Sequence, residues 1–591
     1  MEEKRGYTIS NIYQGGYSTM VPSYSGYITA GSLGMTTDPR TANIIQEVSS
    51  KLSSGVKNIE VEGVSADIFD SIPKQHLKEV NRLSKLTGVD ISLHAPVMDV
   101  SGIDPRGGFS EVEREASERK VAETLKRAHE MNPDGNIPVN FHSAEGIPGS
   151  TFLPPSKRKE GEKYQRLIVV NRETGRLAPL EPEIEYLPGK EKIEPTRLAP
   201  EKRLDKFNTT EWDNSISQLI LNRERFDEIL QESKPLLQPL QDPNTGEIKV
   251  ENPERLSKPA KEAFRHFRDA QDYLDNVYKV AYSNFSKAYE FGDEHQKNVL
   301  KKFSEDFAKK TENKPKDQFA FSEAMGEFLH NLKSQEVAPK MYVPIEKFAI
   351  EKSSETFGNA AWQAYKELKG KNVPILTIEN PPAGFALSTG EDIRKIVEES
   401  RKQFVKKAAA EGFSESDARK EAEKLIGATW DVGHINMLRK FGYSEKEITE
   451  EAKHVAPILK HVHLSDNFGF EHTELPMGMG NVPIKEVMEK LGQKGYDARK
   501  IIEASGWWQH FRTPPFQETL EAVGSPIYGM KMAPYWSQAP GLYQGYFGGY
   551  GQMLPQINYE TFGAGFSRLP AELGGQAPGA QGGRMSGRPM E

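Results

Sequence analysis

Short apolar, β-branched runs alternate along the chain with segments whose apolar positions recur at helical spacing. Strands are predicted near 26–33 (GYITAGSL), 57–62 (KNIEVE), 89–94 (VDISLH) and 137–142 (IPVNFH). Four more follow near 374–379 (PILTIE), 427–431 (GATWD), 458–464 (ILKHVHL) and 499–503 (RKIIE). Helical periodicity is found at 40–53, 74–86, 111–130, 346–369, 391–411, 444–454 and 484–494. Strand alternating with helix implies right-handed βαβ units and a parallel sheet. Eight such units predict a closed (β/α)8 TIM barrel rather than an open doubly wound sheet. No GxGxxG follows the first strand, which argues further against a dinucleotide-binding sheet.

The fourth and fifth units are separated by about 200 residues, far more than an ordinary βα connection. This insertion, 147–345, has a pattern of its own. LIVVNRETGRLAPL reads as two short strands around a Glu-Thr-Gly turn. Beyond 211 the pattern is helical, with Trp212, Ile216, Leu219, Phe226 and Leu230 on one face. Phe264, Phe267, Leu274, Val277, Ala281 and Phe285 predict a longer helix. Val299, Leu300, Phe303 and Phe307 predict a third, and Phe321, Met325, Phe328 and Leu332 a fourth. The barrel is thus split into a first part, 25–146, and a second, 346–526. The mainly helical insertion leaves just past His142, on the catalytic face of such a barrel. It is either a lid that selects substrate or a module for oligomerisation and stability. Residues 1–24 form an irregular Gly, Ser and Tyr-rich arm. Residues 527–591 form a low-complexity, Gly, Tyr and Pro-rich tail expected to be partly disordered.

A formal net charge of −8 argues against a dedicated nucleic-acid coat, without excluding a local basic groove. The chain has no cysteine, so any metal must be held by His, Asp and Glu. MEEKRGYTISNIYQGG lacks the apolar core of a secretory signal, and no stretch approaches the ~20 apolar residues of a bilayer span. A cytoplasmic enzyme with no membrane partner is expected; its oligomeric state is open.

The candidate chemistry lies at the strand ends. Six of the eight predicted strands end in His, Asp or Glu. His94 ends SLHAPV, His142 lies in VNFHSAEG, Asp431 and His434 in ATWDVGH, and His463 in HVHLSDN. His472 and Glu474 follow in EHTEL. Glu379 follows Leu-Thr-Ile, Asp431 follows Ala-Thr-Trp and Glu503 follows Ile-Ile. A carboxylate at the end of an apolar strand is costly to bury unless paired or metal-bound. Parallel strands of a barrel bring such ends to one mouth, where a divalent metal offsets all three costs. Asp431 can instead cap the helix that follows, and for Asp466 the capping role is the preferred one. His461 and His463 share a strand face. His463, nearer the mouth, is the predicted ligand.

The motifs HAP, FH, IEN, DVGH, HVHLSDN and IIE, in that order, resemble those of the xylose-isomerase-like TIM-barrel superfamily. That group includes sugar isomerases and epimerases, and the endonuclease IV enzymes (AP endonuclease family 2) of abasic-site repair. The resemblance covers about 26–146 and 346–525. In the isomerase branch it implies one divalent metal held by Glu379, Asp431, His463 and Glu503, with Glu379 and Glu503 as catalytic acid and base. In the endonuclease IV branch it implies a three-zinc cluster that hydrolyses a phosphodiester. There, His94 and His142 join a bridging Glu379, and His434 joins His472 and Glu474.

All nine positions carry a residue able to ligate, which favours the multi-metal hydrolase. The resemblance then implies Zn2+ foremost, Mn2+ or Mg2+ otherwise, and DNA containing abasic sites as partner. The alternative is a single-metal isomerase or epimerase acting on a small sugar or sugar phosphate. A third reading is a non-catalytic barrel that binds through its insertion and tail. The sequence departs from the repair enzymes in three places. The family's Asp-x-His pair reads His472-x-Glu474, Val97 stands where a Tyr is usual, and GVSADIFDS lacks the aromatic and Arg residues that wedge DNA. The basic run SKRKEGEKYQR at 156–166 is a candidate substitute, or a solvated loop.

Overall fold

The computed structural model describes residues 28–523, apart from 29, 105–107, 145, 160, 187–194, 244, 249, 251 and 313–316. The predicted arm at 1–24 and tail at 527–591 lie outside the described residues. Eight parallel strands close into a barrel: β1 Leu33–Thr36, β2 Asn58–Glu62, β3 Asp90–His94, β4 Pro138–His142, β5 Ile375–Glu379, β6 Ile426–Asp431, β7 Leu459–Leu464 and β8 Arg499–Ile502. Pairing runs β1-β8-β7-β6-β5-β4-β3-β2 and closes on β1. The fold is a (β/α)8 TIM barrel. Its strands are buried on both faces, which is why they read as continuous apolar runs.

The first strand differs from expectation. Ala30–Ser32 forms a short 3-10 turn, and pairing begins at Leu33. Barrel closure sets this register, since Gly34 lies opposite Asn58 on one side and Ile501 on the other. A Cβ on Gly34 would come within 2.6 Å of both neighbours, so only glycine fits there.

The main barrel helices are α1 Ile44–Leu52, α2 Lys74–Thr87, α3 Glu111–Met131, α4 Ile345–Glu367, α5 Gly390–Ala410, α6 Glu445–Val455, α7 Ile484–Asp497 and α8 Ser505–Phe511. Local chemistry fixes their starts. Ser110 and Thr389 accept the backbone N–H of Glu113 and Asp392, and Ser444 with Glu447 forms a capping box. One helix, Glu415–Leu425, was not expected. Its sequence is so charged that Ala418, Ala422 and Leu425 alone mark the buried stripe.

The chain divides into two compact units, Met1–Arg158 with Ile345–Glu591, and Lys159–Pro344. The second has its own antiparallel sheet, in which Tyr164–Asn171 pairs with Leu177–Leu180 and with Tyr342–Pro344. Its helices Pro200–Leu237, Lys258–Phe291, Glu294–Glu312 and Gln318–Leu332 enclose a core that includes Ile216, Phe226, Leu274 and Met325. The Trp212 indole N–H donates to the Leu332 carbonyl at 2.8 Å, which satisfies the one polar atom of that side chain. Among the described residues no helix is long and apolar enough to cross a membrane.

Candidate metal centre

Strand register carries the acidic and imidazole side chains to one level. Glu62 pairs with His94, His142 with Glu379, and Asp431 with His463. Glu379, Asp431, His463 and Glu503 each present a ligand atom, all within 4.8 Å of one another, and the set is buried. His463 Nδ1 lies 3.0 Å from both Glu379 Oε1 and Glu503 Oε1. Asp431 caps the short turn Val432–Asn436, accepting the His434 N–H at 2.6 Å, so it takes the alternative capping role and stands in the four-residue set as well. Gly433 packs against Ser465 Oγ, where a Cβ would collide, and Ser465 in turn reaches the Asp431 carboxylate at 3.3 Å. Asn140 donates to Glu379 Oε2. The Asn380 side chain donates to the Asp431 carbonyl and accepts its N–H.

Beneath this set lies a layer that the sequence reading missed. Glu60 of β2 is fully buried, 2.9 Å from His463 Nε2 and 2.9 Å from His461 Nε2. It also accepts from Ser92 Oγ at 2.6 Å. Glu60 therefore sets a carboxylate beside His463 Nε2, while Nδ1 faces the four-residue set, the arrangement in which a carboxylate stands behind a histidine ligand. Glu60, Glu62 and Glu503 form a further convergent group, as do Glu60, His461 and His463. The signal was present in the strand NIEVE. There, Glu60 and Glu62 alternate with Ile59 and Val61 on a strand with no exposed face, so both carboxylates must point into the barrel.

His94, His142 and Glu379 form another convergent group. His94 Nδ1–H donates to the Ala95 carbonyl at 3.0 Å, which leaves Nε2 facing Glu379 Oε2 at 3.6 Å. His142 Nε2 lies 3.5 Å from the same oxygen. His434 donates Nδ1–H to the Asn380 carbonyl at 2.7 Å, and its Nε2 meets His472 Nε2 at 2.8 Å. Glu474 lies 3.9 Å from His472 on the exposed side. Among the described residues, no convergent group includes His434, His472 or Glu474.

Asp466 does not cap a helix. Its carboxylate accepts the backbone N–H of Asn467, Gly478 and Val482 at 2.9, 2.8 and 3.0 Å, tying together both ends of the loop that carries His472 and Glu474. Phe468 and Phe470 project from this loop, 56% and 67% exposed. The GVSADIFDS segment contains the helix Ala66–Ser71.

The electrostatics separate these groups. Burial pushes Glu503 well above the usual glutamate range, although His463 opposes it. Burial acts on Glu379 too, but the charges of His463 and His142 and bonds from His463 and His94 hold its carboxyl well below that range. His463 is lifted well above an ordinary imidazole by Glu503, Glu379 and Glu60, against its burial. His94 rises to about 10, with burial opposing and Glu62 and Glu379 prevailing. Burial lowers His434 and His461, and raises Glu62 to about 7. A buried set of three carboxylates and one imidazole suits a divalent cation such as Zn2+, Mn2+ or Mg2+.

Residues 412–523 match the family model described as xylose isomerase-like TIM barrel. An uncharacterized protein of Methanocaldococcus jannaschii is 36% identical over 80 residues, 14% of this chain. The match spans 26% of that relative's own length. A solved D-tagatose 3-epimerase-like protein aligns over 84% of this chain and 99% of its own, with 13% identity and a TM-score of 0.34. A D-psicose 3-epimerase from Clostridium cellulolyticum H10, solved with D-tagatose, aligns over 84% and 98%, with 8% identity and a TM-score of 0.35.

Proposed function

We propose that this chain is a divalent-metal-dependent isomerase or epimerase that moves a proton at a carbon of a small sugar or sugar phosphate. The observation that carries this reading is the approach of Glu379 and Glu503 to one nitrogen, His463 Nδ1, at 3.0 Å each, inside the four-residue set. Two carboxylates so placed can act as a pair, one taking a proton from a substrate carbon and the other returning one. The lowered Glu379 suits the base, and the raised Glu503 suits the acid. A divalent cation held by Glu379, Asp431, His463 and Glu503 would polarise the substrate oxygen next to that carbon. His94 and His142 line the same mouth and can hold substrate hydroxyls.

One observation favours a second reading, a phosphodiester hydrolase acting on abasic-site DNA. His94, His142 and Glu379 converge closely enough for a further cation. His434 and His472 meet at 2.8 Å, but among the described residues Glu474 does not complete a three-residue group with them, which weighs against the full three-metal cluster.

The deciding experiment incubates metal-loaded protein in D2O with a panel of ketoses and ketose phosphates, and in parallel with an abasic-site duplex. Deuterium appearing at C2 or C3, and lost in Glu503→Gln, supports the isomerase. Duplex cleavage without exchange replaces it with the hydrolase. Neither activity with Mg2+, Mn2+, Co2+ or Zn2+ removes both.

A further inference from the structure

Away from the metal centre, a recess of about 390 Å3, part of it open to solvent, lies where β1 and β8 meet α1 and α8. Lys51 of α1 lines it and is only 1% exposed. Among the described residues its ammonium has neither an ion pair nor a hydrogen-bond acceptor. Its Nζ sits 3.6 Å from the centre of the Trp508 ring, a cation–π contact that replaces only part of the hydration lost on burial. Trp508 lines the same recess, and its buried indole N–H also lacks an acceptor among the described residues. At the rim, the Arg512 guanidinium is exposed and unpaired among them.

The carboxylates nearby do not supply what is missing. Asp38 is engaged by Arg40 at 2.6 and 2.9 Å. Glu47, one turn before Lys51, accepts the Asp38 N–H at 3.2 Å. Both carboxylates thus have other partners, and the one fully buried charge of the recess is a cation.

We propose that this recess binds a small oxyanion, a phosphate group or a carboxylate, with Lys51 as its buried counter-charge and Arg512 closing the rim. Burial pushes Lys51 down to about 7, against the pull of Glu47 and Asp38 and with a push from Arg512. A bound oxyanion would restore the full charge. Ile502 and Ala504 line the recess, whereas Glu503 between them belongs to the metal set, so the two sites are back to back on one strand end. The recess is separate from the mouth and would serve an isomerase or a hydrolase alike.

The test is calorimetric titration of the full-length, metal-loaded protein with inorganic phosphate, glycerol 3-phosphate and acetate in separate arms. At least one should bind saturably, and the preferred arm identifies a free anion, a phosphate ester or a carboxylate as the occupant. Lys51→Met should weaken that binding at least tenfold, the loss expected for one desolvated charge-assisted contact. Arg512→Gln should weaken it several-fold. Lys51→Met should still fold, because it removes a buried charge and keeps the apolar stem; if it does not, Arg512→Gln decides alone. Absence of binding in every arm up to ~10 mM overturns the proposal, since a built charge pair should do better than that. Undiminished binding in the variants also overturns it, because the anion then sits at the metal centre.

Discussion

Loading the metal centre must expel protons, and the number expelled reports how many cations enter. In chelator-stripped protein burial raises Glu503 well above the usual glutamate range, and the nearby carboxylates raise His463 well above an ordinary imidazole against its burial. Each can ligate only after losing a proton. One cation at the four-residue set therefore releases up to two protons, and its apparent affinity climbs with pH, about tenfold per pH unit for each proton released. A second cation at His94, His142 and Glu379 would displace the His94 proton as well, held there up to about 10. The total then rises by one, to at most about three. Titrating Mn2+ or Zn2+ into stripped protein in buffers of different ionisation enthalpy measures the count directly. The slope of observed heat against buffer enthalpy is the number of protons released. A slope below one at pH 7 would refute the electrostatic reasoning. A slope near three with two cations per chain would transfer the proposal from isomerase to hydrolase.

Three further outcomes are expected. Glu60→Gln keeps the shape of the buried layer but removes the charge behind His463, so metal affinity should drop about 10- to 100-fold by equilibrium dialysis. In stripped protein, Glu62 (raised to about 7) and His94 (raised to about 10) stabilise the fold fully below their ordinary 4.5 and 6.5. That stability is lost as pH rises through the raised values, whereas Glu60 and Glu379, both lowered, lose theirs as pH falls. Melting temperature should therefore decline from about pH 5 toward 10 in stripped protein and much less in loaded protein; equal slopes would contradict this. Leu274→Ala, in the separate core of the inserted unit, should cost about 2–5 kcal/mol by denaturant unfolding, with metal stoichiometry unchanged.

The barrel was legible because parallel strands buried on both faces leave unbroken apolar runs, and their polar ends stand out against them. Glu379, Asp431 and Glu503 were conspicuous for that reason. Glu60 and Glu62 were not, because a strand reading NIEVE looks like an ordinary amphipathic edge until barrel closure denies it a wet face. The offset of β1 has a related cause. Four residues carry too little pattern to set a register, and pairing with Asn58–Glu60 and Lys500–Ile502 decides it. The role of Asp466 depends on backbone N–H groups far along the chain, which side-chain patterns do not reveal. Lys51 was hidden similarly, since nothing in KLSS marks a lysine that folds inward beneath Trp508.

The three bonds accepted by Asp466 bear on how this barrel tolerates change. A loop whose two ends meet on one carboxylate owes its outline to that anchor and little to the side chains strung between. Its interior can drift while the barrel beneath keeps its shape. His472 and Glu474, and the pair of outward phenylalanines at 468 and 470, fall within that span. What the mouth meets can therefore be altered one loop at a time, over a buried four-residue set that the loop does not supply.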